Sequence, residues 1–219
     1  MTLTVLPITL AKMTTPAIRV LTVDDHPVFR AGVAAILADS LDIRVVGEAG
    51  TGHEAIRLHR DLVPDVTLVD LRMPDMEGAH IITAVRMHAP TARMVVLTTY
   101  SGDGTARRAL AAGANGYLLK SSLVDDLATT IRAVHAGQHR ISAEVAQNLA
   151  EFYGDEPLSA RELDVLRGVA AGLANKQIAA RLGLSAETVK EYLSHAMAKL
   201  RATNRAHAIA IALERGFLR

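Results

Sequence analysis

Residues 65–78 read DVTLVDLRMPDMEG. Asp65–Asp70 is a short run of Val, Thr and Leu closed by an acid, and the loop after it is broken by Pro74 and Gly78. A brief apolar run with β-branched residues, bounded by turn formers, reads as a buried strand running into a loop. The same unit recurs on both sides. Ile18–Asp24 (IRVLTVD), Ile43–Ala49, Met94–Thr99 and Tyr117–Leu119 read as further strands. Between and after them lie Pro27–Leu37, Glu54–Leu62, Ala79–Met87, Thr105–Ala112 and Leu123–Ala136. The last carries Leu123, Leu127, Ile131 and Val134 on one helical stripe, and Pro27 suits a first helical turn. Strand and helix in alternation predict an α/β fold, a doubly wound five-stranded parallel sheet with helices on both faces.

Such sheets place their working groups at the carboxyl ends of the strands, beside the switch in strand order. With order 2-1-3-4-5, strands one and three are neighbours, and Asp24, Asp25 and Asp70 converge. Asp at a strand end also serves as an ordinary cap or turn residue, but Thr98 and Lys120 close the fourth and fifth strands on the same rim. Three carboxylates repel one another unless a cation neutralises them. A hard divalent ion, Mg²⁺ where phosphate is handled, suits an all-oxygen set. Acids, an ammonium and a hydroxyl on one rim make a phosphoryl site.

Composition narrows the field. With 50% hydrophobic and 21% charged residues the chain can bury a core. There is no Cys, which removes disulfides, thiolate metal sites and a Cys nucleophile and fits a reducing cytoplasm. No apolar run reaches the ~18–20 residues that span a bilayer. Residues 1–16 read as a disordered tail ending at Pro16. The net charge of +1 hides an asymmetry: residues 155–219 hold ten basic against seven acidic residues, and residues 1–154 hold fourteen against sixteen. An acidic part joined to a small basic part suggests two domains with different partners: 17–136, a linker over 137–156 with a short helix at Ala143–Phe152 and a hinge at Tyr153–Pro157, and 157–219.

The second part is helical throughout. Ser159 and Glu162 form a capping box, Gly172 ends the helix they start, Asn175 opens a short helix that Gly183 breaks, Ser185 caps a longer one over Ala186–Leu200, and a last helix runs from Arg205 to Arg215. Short helix, Gly turn, longer helix is a helix-turn-helix pattern. In the longer helix Val189, Leu193, Ala196, Met197 and Leu200 share the core face, while Glu187, Thr188, Glu191, Ser194 and His195 lie opposite, flanked by Lys190 and Lys199. Such a face suits a DNA major groove; a solvated face of a four-helix protein-interaction module fits the same pattern.

Four dispersed motifs, Val23–His26 (VDDH), Asp70–Gly78 (DLRMPDMEG), Val96–Thr99 (VLTT) and Gly116–Lys120 (GYLLK), resemble the flavodoxin-like receiver domain of two-component response regulators over residues 17–135. The resemblance implies that Asp70 accepts a phosphoryl group from a sensor histidine kinase. It implies that Asp25, Asp70 and the Arg72 backbone carbonyl hold Mg²⁺, with Asp24 assisting through water. Lys120 then pairs with the phosphoryl oxygens, Thr98 moves to bond them, and Tyr117 follows as the second switch residue. Simple edge packing explains Tyr117 equally well. His26 reads as a surface residue rather than a ligand.

Leu158–Leu166 (LSARELDVL), Gly172–Ala179 (GLANKQIA), Leu184–Lys190 (LSAETVK) and Lys199-Leu200 resemble the LuxR/NarL-type DNA-binding domain over residues 157–217. That likeness implies contacts to double-stranded DNA from Thr188 and Lys190, phosphate contacts from Asn175, Lys176 and Lys199, and a specificity-setting Glu191 beside Ser194 and His195. The family often has His where Tyr192 stands. The whole is expected to be a cytoplasmic, phosphorylation-dependent transcription regulator that dimerises, not an enzyme. Its rivals are an adaptor acting through protein contacts and a Mg²⁺-dependent phosphohydrolase. The latter wants a second acid two residues after Asp70, where Arg72 stands.

Overall fold

A computed structural model describes residues 16–99, 103–151 and 156–218. The expected tail up to residue 15 and most of the expected hinge at 153–157 lie outside the described residues.

The first part runs β1 (Ile18–Val23), α1 (Pro27–Ala38), β2 (Ile43–Ala49), α2 (Gly52–Leu62), β3 (Val66–Asp70), α3 (Gly78–His88), β4 (Met94–Thr98), α4 (Asp103–Ala111), β5 (Gly116–Leu119), a 3-10 turn at Lys120–Ser122, and α5 (Leu123–His135). β6 (Arg140–Ile141) and α6 (Ala143–Glu151) follow. The sheet order is β2-β1-β3-β4-β5-β6, all parallel. β1 and β3 are therefore neighbours, with Val23 beside Val69 at their carboxyl ends. Every residue of β3 and β4 is buried, as central strands covered on both faces must be.

One correction concerns the sheet: it has six strands, not five. Gly137, at φ 84°, turns the chain out of α5. Arg140 N then donates to Asn115 O at 3.0 Å and Ser142 N to Tyr117 O at 3.0 Å. Two residues are too few to show a period, so only the pairing reveals them. Their pairing also covers the backbone edge that β5 would otherwise expose.

The helices fall on two faces according to where their apolar stripes point. α1 and α5 bury Val33, Leu37, Leu127 and Ile131 against one face. α2, α3 and α4 bury Ala55, Ile81, Val85, Ala106 and Ala109 against the other, joined there by Val145 of α6. Burying a side chain such as Leu127 contributes about 1.5–3 kcal/mol.

The second part is α7 (Ala160–Ala170), α8 (Asn175–Leu182), α9 (Ala186–Lys199) and α10 (Arg205–Glu214) around its own core. Ser159 and Glu162 cap α7 reciprocally: Ser159 N donates to Glu162 Oε2 at 2.6 Å and Glu162 N to Ser159 Oγ at 3.2 Å. Gly183 ends α8 at φ 68°, a conformation that costs glycine little. Gly168 of α7 sits so close to Ile178 of α8 that a Cβ would come within 2.8 Å of it.

The two parts meet through α4. Gly104 N donates to Arg215 O at 3.1 Å. The Thr105 hydroxyl donates to Gly216 O at 3.0 Å and Arg108 to the same carbonyl at 2.9 Å. A cleft of about 570 Å³ lies beside this contact, with Arg72 and Arg108 on one wall and Arg167 and Phe217 on the other.

In α2, His59 is 5% exposed and its Nδ1 has no hydrogen-bond partner. Its ring meets His88 of α3 edge-on, centroids 5.7 Å apart. Burial, and then the neighbouring His88, push its pKa down. The unfolded chain therefore binds the proton more readily than the folded one, and stability is lost as the pH falls through the ordinary histidine value. Urea midpoints measured at about pH 7.5 and about pH 5.5 are expected to drop more for the wild-type chain than for His59→Gln.

Candidate functional site

The site lies where β1 and β3 end. Asp24 and Asp25 follow β1 directly and Asp70 is the last residue of β3. One oxygen from each, with a ring nitrogen of His26, lie within 4.8 Å of one another. Asp24 is 1% exposed and Asp70 5%. Each is held: His26 N donates to Asp24 Oδ1 at 2.8 Å, Arg72 N to Asp70 Oδ1 at 3.3 Å, and the Arg30 guanidinium to Asp24 O at 2.6 Å.

Lys120, in the turn after β5, reaches into this cup. Its Nζ donates to Asp70 Oδ2 at 2.9 Å and to Asp24 Oδ2 at still shorter range. The ring of Phe29 lies under the same ammonium, 4.0 Å from Nζ to centroid. Burial works to lower the pKa of Lys120, but the bonds to Asp24 and Asp70 outweigh it and the net shift is upward. Burial raises the pKa of Asp70, and Lys120 offsets part of that rise.

The oxygens fit a divalent ion. Asp25 Oδ1 is buried with no hydrogen bond; His26 Nδ1 stands 2.8 Å away but outside hydrogen-bond geometry. Three carboxylates against one ammonium leave a formal charge of −2. Carboxylate oxygens are the donors through which proteins hold Mg²⁺. Gly78 lets the loop after Asp70 fold back, because a Cβ there would come within 2.5 Å of Asp70 O. His26, expected at the surface, is exposed in its ring yet belongs to the cluster.

Thr98 ends β4, one step beyond the residue paired with Asp70, and is 1% exposed. Tyr117 is fully buried against Ala106, Ala109 and Val145. Its hydroxyl bonds the Thr98 side chain, and burial drives its pKa upward. The tyrosine is thus in the core between sheet and α4 rather than at an edge.

The second candidate surface is on α9. Val189, Leu193, Ala196 and Leu200 are buried as the spacing required, Met197 half-buried, and Tyr192 half-buried at the core edge. Lys190, Glu191, Ser194 and His195 are exposed on the other side with Thr188 half-exposed beside them. Lys176 is exposed and Asn175 half-buried at the start of α8. Lys199 departs from expectation. It is turned into its own domain, with Nζ 2.9 Å from Glu162 Oε2 and 3.1 Å from Glu156 Oε1. That ammonium completes the α7 capping box instead of facing outward.

Sequence reasoning missed Phe29 and Arg30. Both lie on α1 within a helix assigned for its apolar stripe, and only the fold brings them over Lys120 and Asp24.

A rim of three acids, a lysine and a threonine on a doubly wound sheet, tethered to a helix-turn-helix, defines a phosphoryl-responsive regulator. The response regulator receiver domain family matches residues 20–132, and the luxR family of bacterial regulatory proteins matches residues 156–212. The chain belongs to the two-component response regulators with a luxR-type DNA-binding domain. It is 34% identical over 209 residues to the response regulator protein VraR of Staphylococcus epidermidis, covering 92% of this chain and 99% of that protein. Among solved structures it is similar to the response regulator ChrA of a heme-sensing two-component system, with 36% identity, a TM-score of 0.56, and 93% and 100% of the two chains covered. It is also similar to a complex of the response regulator RcsB with DNA, with 27% identity, a TM-score of 0.68, and 90% and 98% covered.

Removing the shared cation leaves two buried like charges face to face. Lys120→Ala is expected to destabilise the fold by about 3 kcal/mol in metal-free buffer, read by chemical denaturation, with part of the loss restored by added Mg²⁺.

Proposed function

We propose that Asp70 accepts a phosphoryl group from a sensor histidine kinase and that the phosphorylated chain binds promoter DNA as a dimer. The observation that carries this reading is the convergence of Asp24, Asp25 and Asp70 within 4.8 Å with Lys120 bonded to two of them. In the transfer an Asp70 carboxylate oxygen attacks phosphorus, the bond from phosphorus to the donor histidine nitrogen breaks, and an acyl phosphate forms. Asp25, Asp70 and the Arg72 carbonyl would hold Mg²⁺, and Asp24 would assist through water. When bound, the ion neutralises charge developing on the transferred group. Lys120 exchanges its contact with Asp70 for the phosphoryl oxygens, and Phe29 keeps it over the cup.

Phosphorylation adds roughly −1.5 to −2 charge to this small space. Thr98 is drawn toward it, which breaks its bond to Tyr117 and perturbs α4, the helix that opens five residues later. α4 is also where Gly104, Thr105 and Arg108 grip Arg215 and Gly216. A shift there loosens the second domain, a local electrostatic event with a distant readout. The docked arrangement leaves Lys190, Glu191, Ser194 and His195 exposed, so release acts on the spacing and pairing of two chains and not on access to α9.

Residues 17–136 are the receiver, 137–156 the linker, whose β6 and α6 are packed onto the receiver's sheet and core, and 157–219 the DNA-binding domain. In DNA binding, Lys190, Lys176 and Asn175 contact phosphates, while Thr188, Glu191, Ser194 and His195 face base edges. A two-fold dimer presents two α9 helices to half-sites about one helical turn apart. No helix among the described residues is long and apolar enough to cross a membrane; a kinase donor and DNA as partners support a cytoplasmic location. The phosphoryl group serves as a signal, not as a substrate in turnover.

Asp70→Ala is expected to abolish Mg²⁺-dependent labelling by acetyl phosphate while the chain stays folded; full labelling of that variant contradicts the assignment. Lys190→Ala is expected to weaken DNA binding across sequences and to flatten the plot of log affinity against log salt by about one unit. An unchanged slope in a gel-shift series removes Lys190 from the interface.

A further inference from the structure

Asp75 has no part in the phosphoryl site described above, yet its carboxylate is heavily bonded. Oδ1 accepts from Gly52 N at 2.9 Å. Oδ2 accepts from His53 N at 3.1 Å and lies 2.7 Å from His53 Nδ1. Gly52 and His53 open α2, so an acid from the loop after β3 satisfies N–H groups that a helix start leaves without intrahelical partners. The Gly52 N–H, the largest influence, and those of His53 hold the carboxyl far below the usual carboxylate range, against the effect of burial.

The same end of α2 is fastened to the other half of the site. Ala49, which ends β2, accepts from Asp24 N at 3.1 Å. Gly50 N donates to Glu54 Oε2 at 2.9 Å, and Thr51 Oγ1 caps Glu54 N at 3.2 Å. Met76 lies directly against Gly52, where any Cβ would overlap it. The start of α2 is thus a bracket, with Asp24 on one side and the loop carrying Arg72 on the other. Without Asp75 the loop keeps bonds local to itself, such as Gly78 N to Leu71 O at 2.9 Å and Arg72 N to Asp70 Oδ1.

We infer that Asp75 is a positioning residue: by tying the 71–77 loop to the N-terminus of α2 it fixes the backbone of Arg72, whose N–H bonds Asp70 Oδ1 and whose carbonyl is the proposed third ligand, and so sets the affinity of the site for Mg²⁺. This deepens the phosphoryl-acceptor reading and rests on it. Partners of this kind, which orient a ligand without touching the ion, typically change metal affinity by 10–100-fold when removed. The arrangement also links α2 to metal occupancy, since a carbonyl drawn toward an ion pulls on the loop that caps the helix.

Calorimetric titration of the full chain with magnesium chloride, with no phosphodonor present, tests it. Asp75→Ala is expected to raise the Mg²⁺ dissociation constant on the order of tenfold. Asp75→Asn, which retains an acceptor for the Gly52 N–H, recovers most of the affinity, and His53→Ala, which removes one contact of an exposed ring, leaves it near wild type. At saturating Mg²⁺ the Asp75→Ala chain takes label from acetyl phosphate at nearly the wild-type rate. That split between affinity and rate separates positioning from a general weakening of the domain, which lowers the labelled fraction at every Mg²⁺ concentration. An unchanged dissociation constant overturns the inference, as does a labelling defect that excess Mg²⁺ does not repair. If the wild-type chain takes no label, the acceptor reading fails by itself, and the calorimetry still decides the role of Asp75.

Discussion

Two carboxylates almost shut off from water, Asp24 and Asp70, share the ammonium of Lys120. Like charges a few ångströms apart cost about 4 kcal/mol even at the moderate dielectric of a protein margin. The parallel pairing of β1 with β3 forces those acids together, and the short β5 delivers the cation that makes the arrangement tolerable. The remaining acid, Asp25, keeps an oxygen without a hydrogen bond. The site is therefore poised: neutral enough to fold, and still short of positive charge. A divalent ion fits that deficit, and in the proposed reaction an added phosphoryl group then competes for Lys120 and for the Thr98 hydroxyl.

The rest of the receiver packs around this balance. Tyr117 is buried between the sheet and α4 with its hydroxyl on Thr98, which is what supports its proposed role as a switch residue. A small residue at Gly104 lets Phe217 approach α4, so the element packed against Tyr117 is also the element that holds the second domain. The burial of Glu162 under Lys199 makes α7, which lines the cleft facing α4, a firmly capped helix. Each domain has its own core, and the contact between them combines hydrogen bonds from α4 with the Phe217 ring against Gly104.

Much of this was legible in the residues. Asp24, Asp70, Thr98 and Lys120 stand at the ends of β-rich runs, and the switch-point rule brings strand ends together without knowledge of side-chain rotamers. The core face of α9 followed from the spacing of Val189, Leu193 and Ala196. Other features were not legible, for physical reasons. β6 is two residues long and exists only by pairing with Gly116 and Tyr117. Lys199 sits on a helix flank where an outward and an inward ammonium have the same periodicity, and only the buried Glu162 across the domain decides between them. Phe29 and Arg30 belong to a helix whose apolar stripe explains them locally, so their approach to Lys120 and Asp24 is a tertiary fact. Asp75 reads as a loop acid beside Pro74; its partner lies 23 residues earlier in the chain.

The account stands on the acids at the ends of β1 and β3 forming one cup in which Asp70 is the nucleophile. Peptide mapping by tandem mass spectrometry, after brief exposure of the wild-type chain to acetyl phosphate with Mg²⁺, reads this most directly. The account predicts a single acyl phosphate on the peptide that contains Asp70, absent when a chelator replaces the ion. A phosphoryl group found on Asp24, Asp25 or a residue outside the cup, or one that forms equally well with the ion removed, contradicts it.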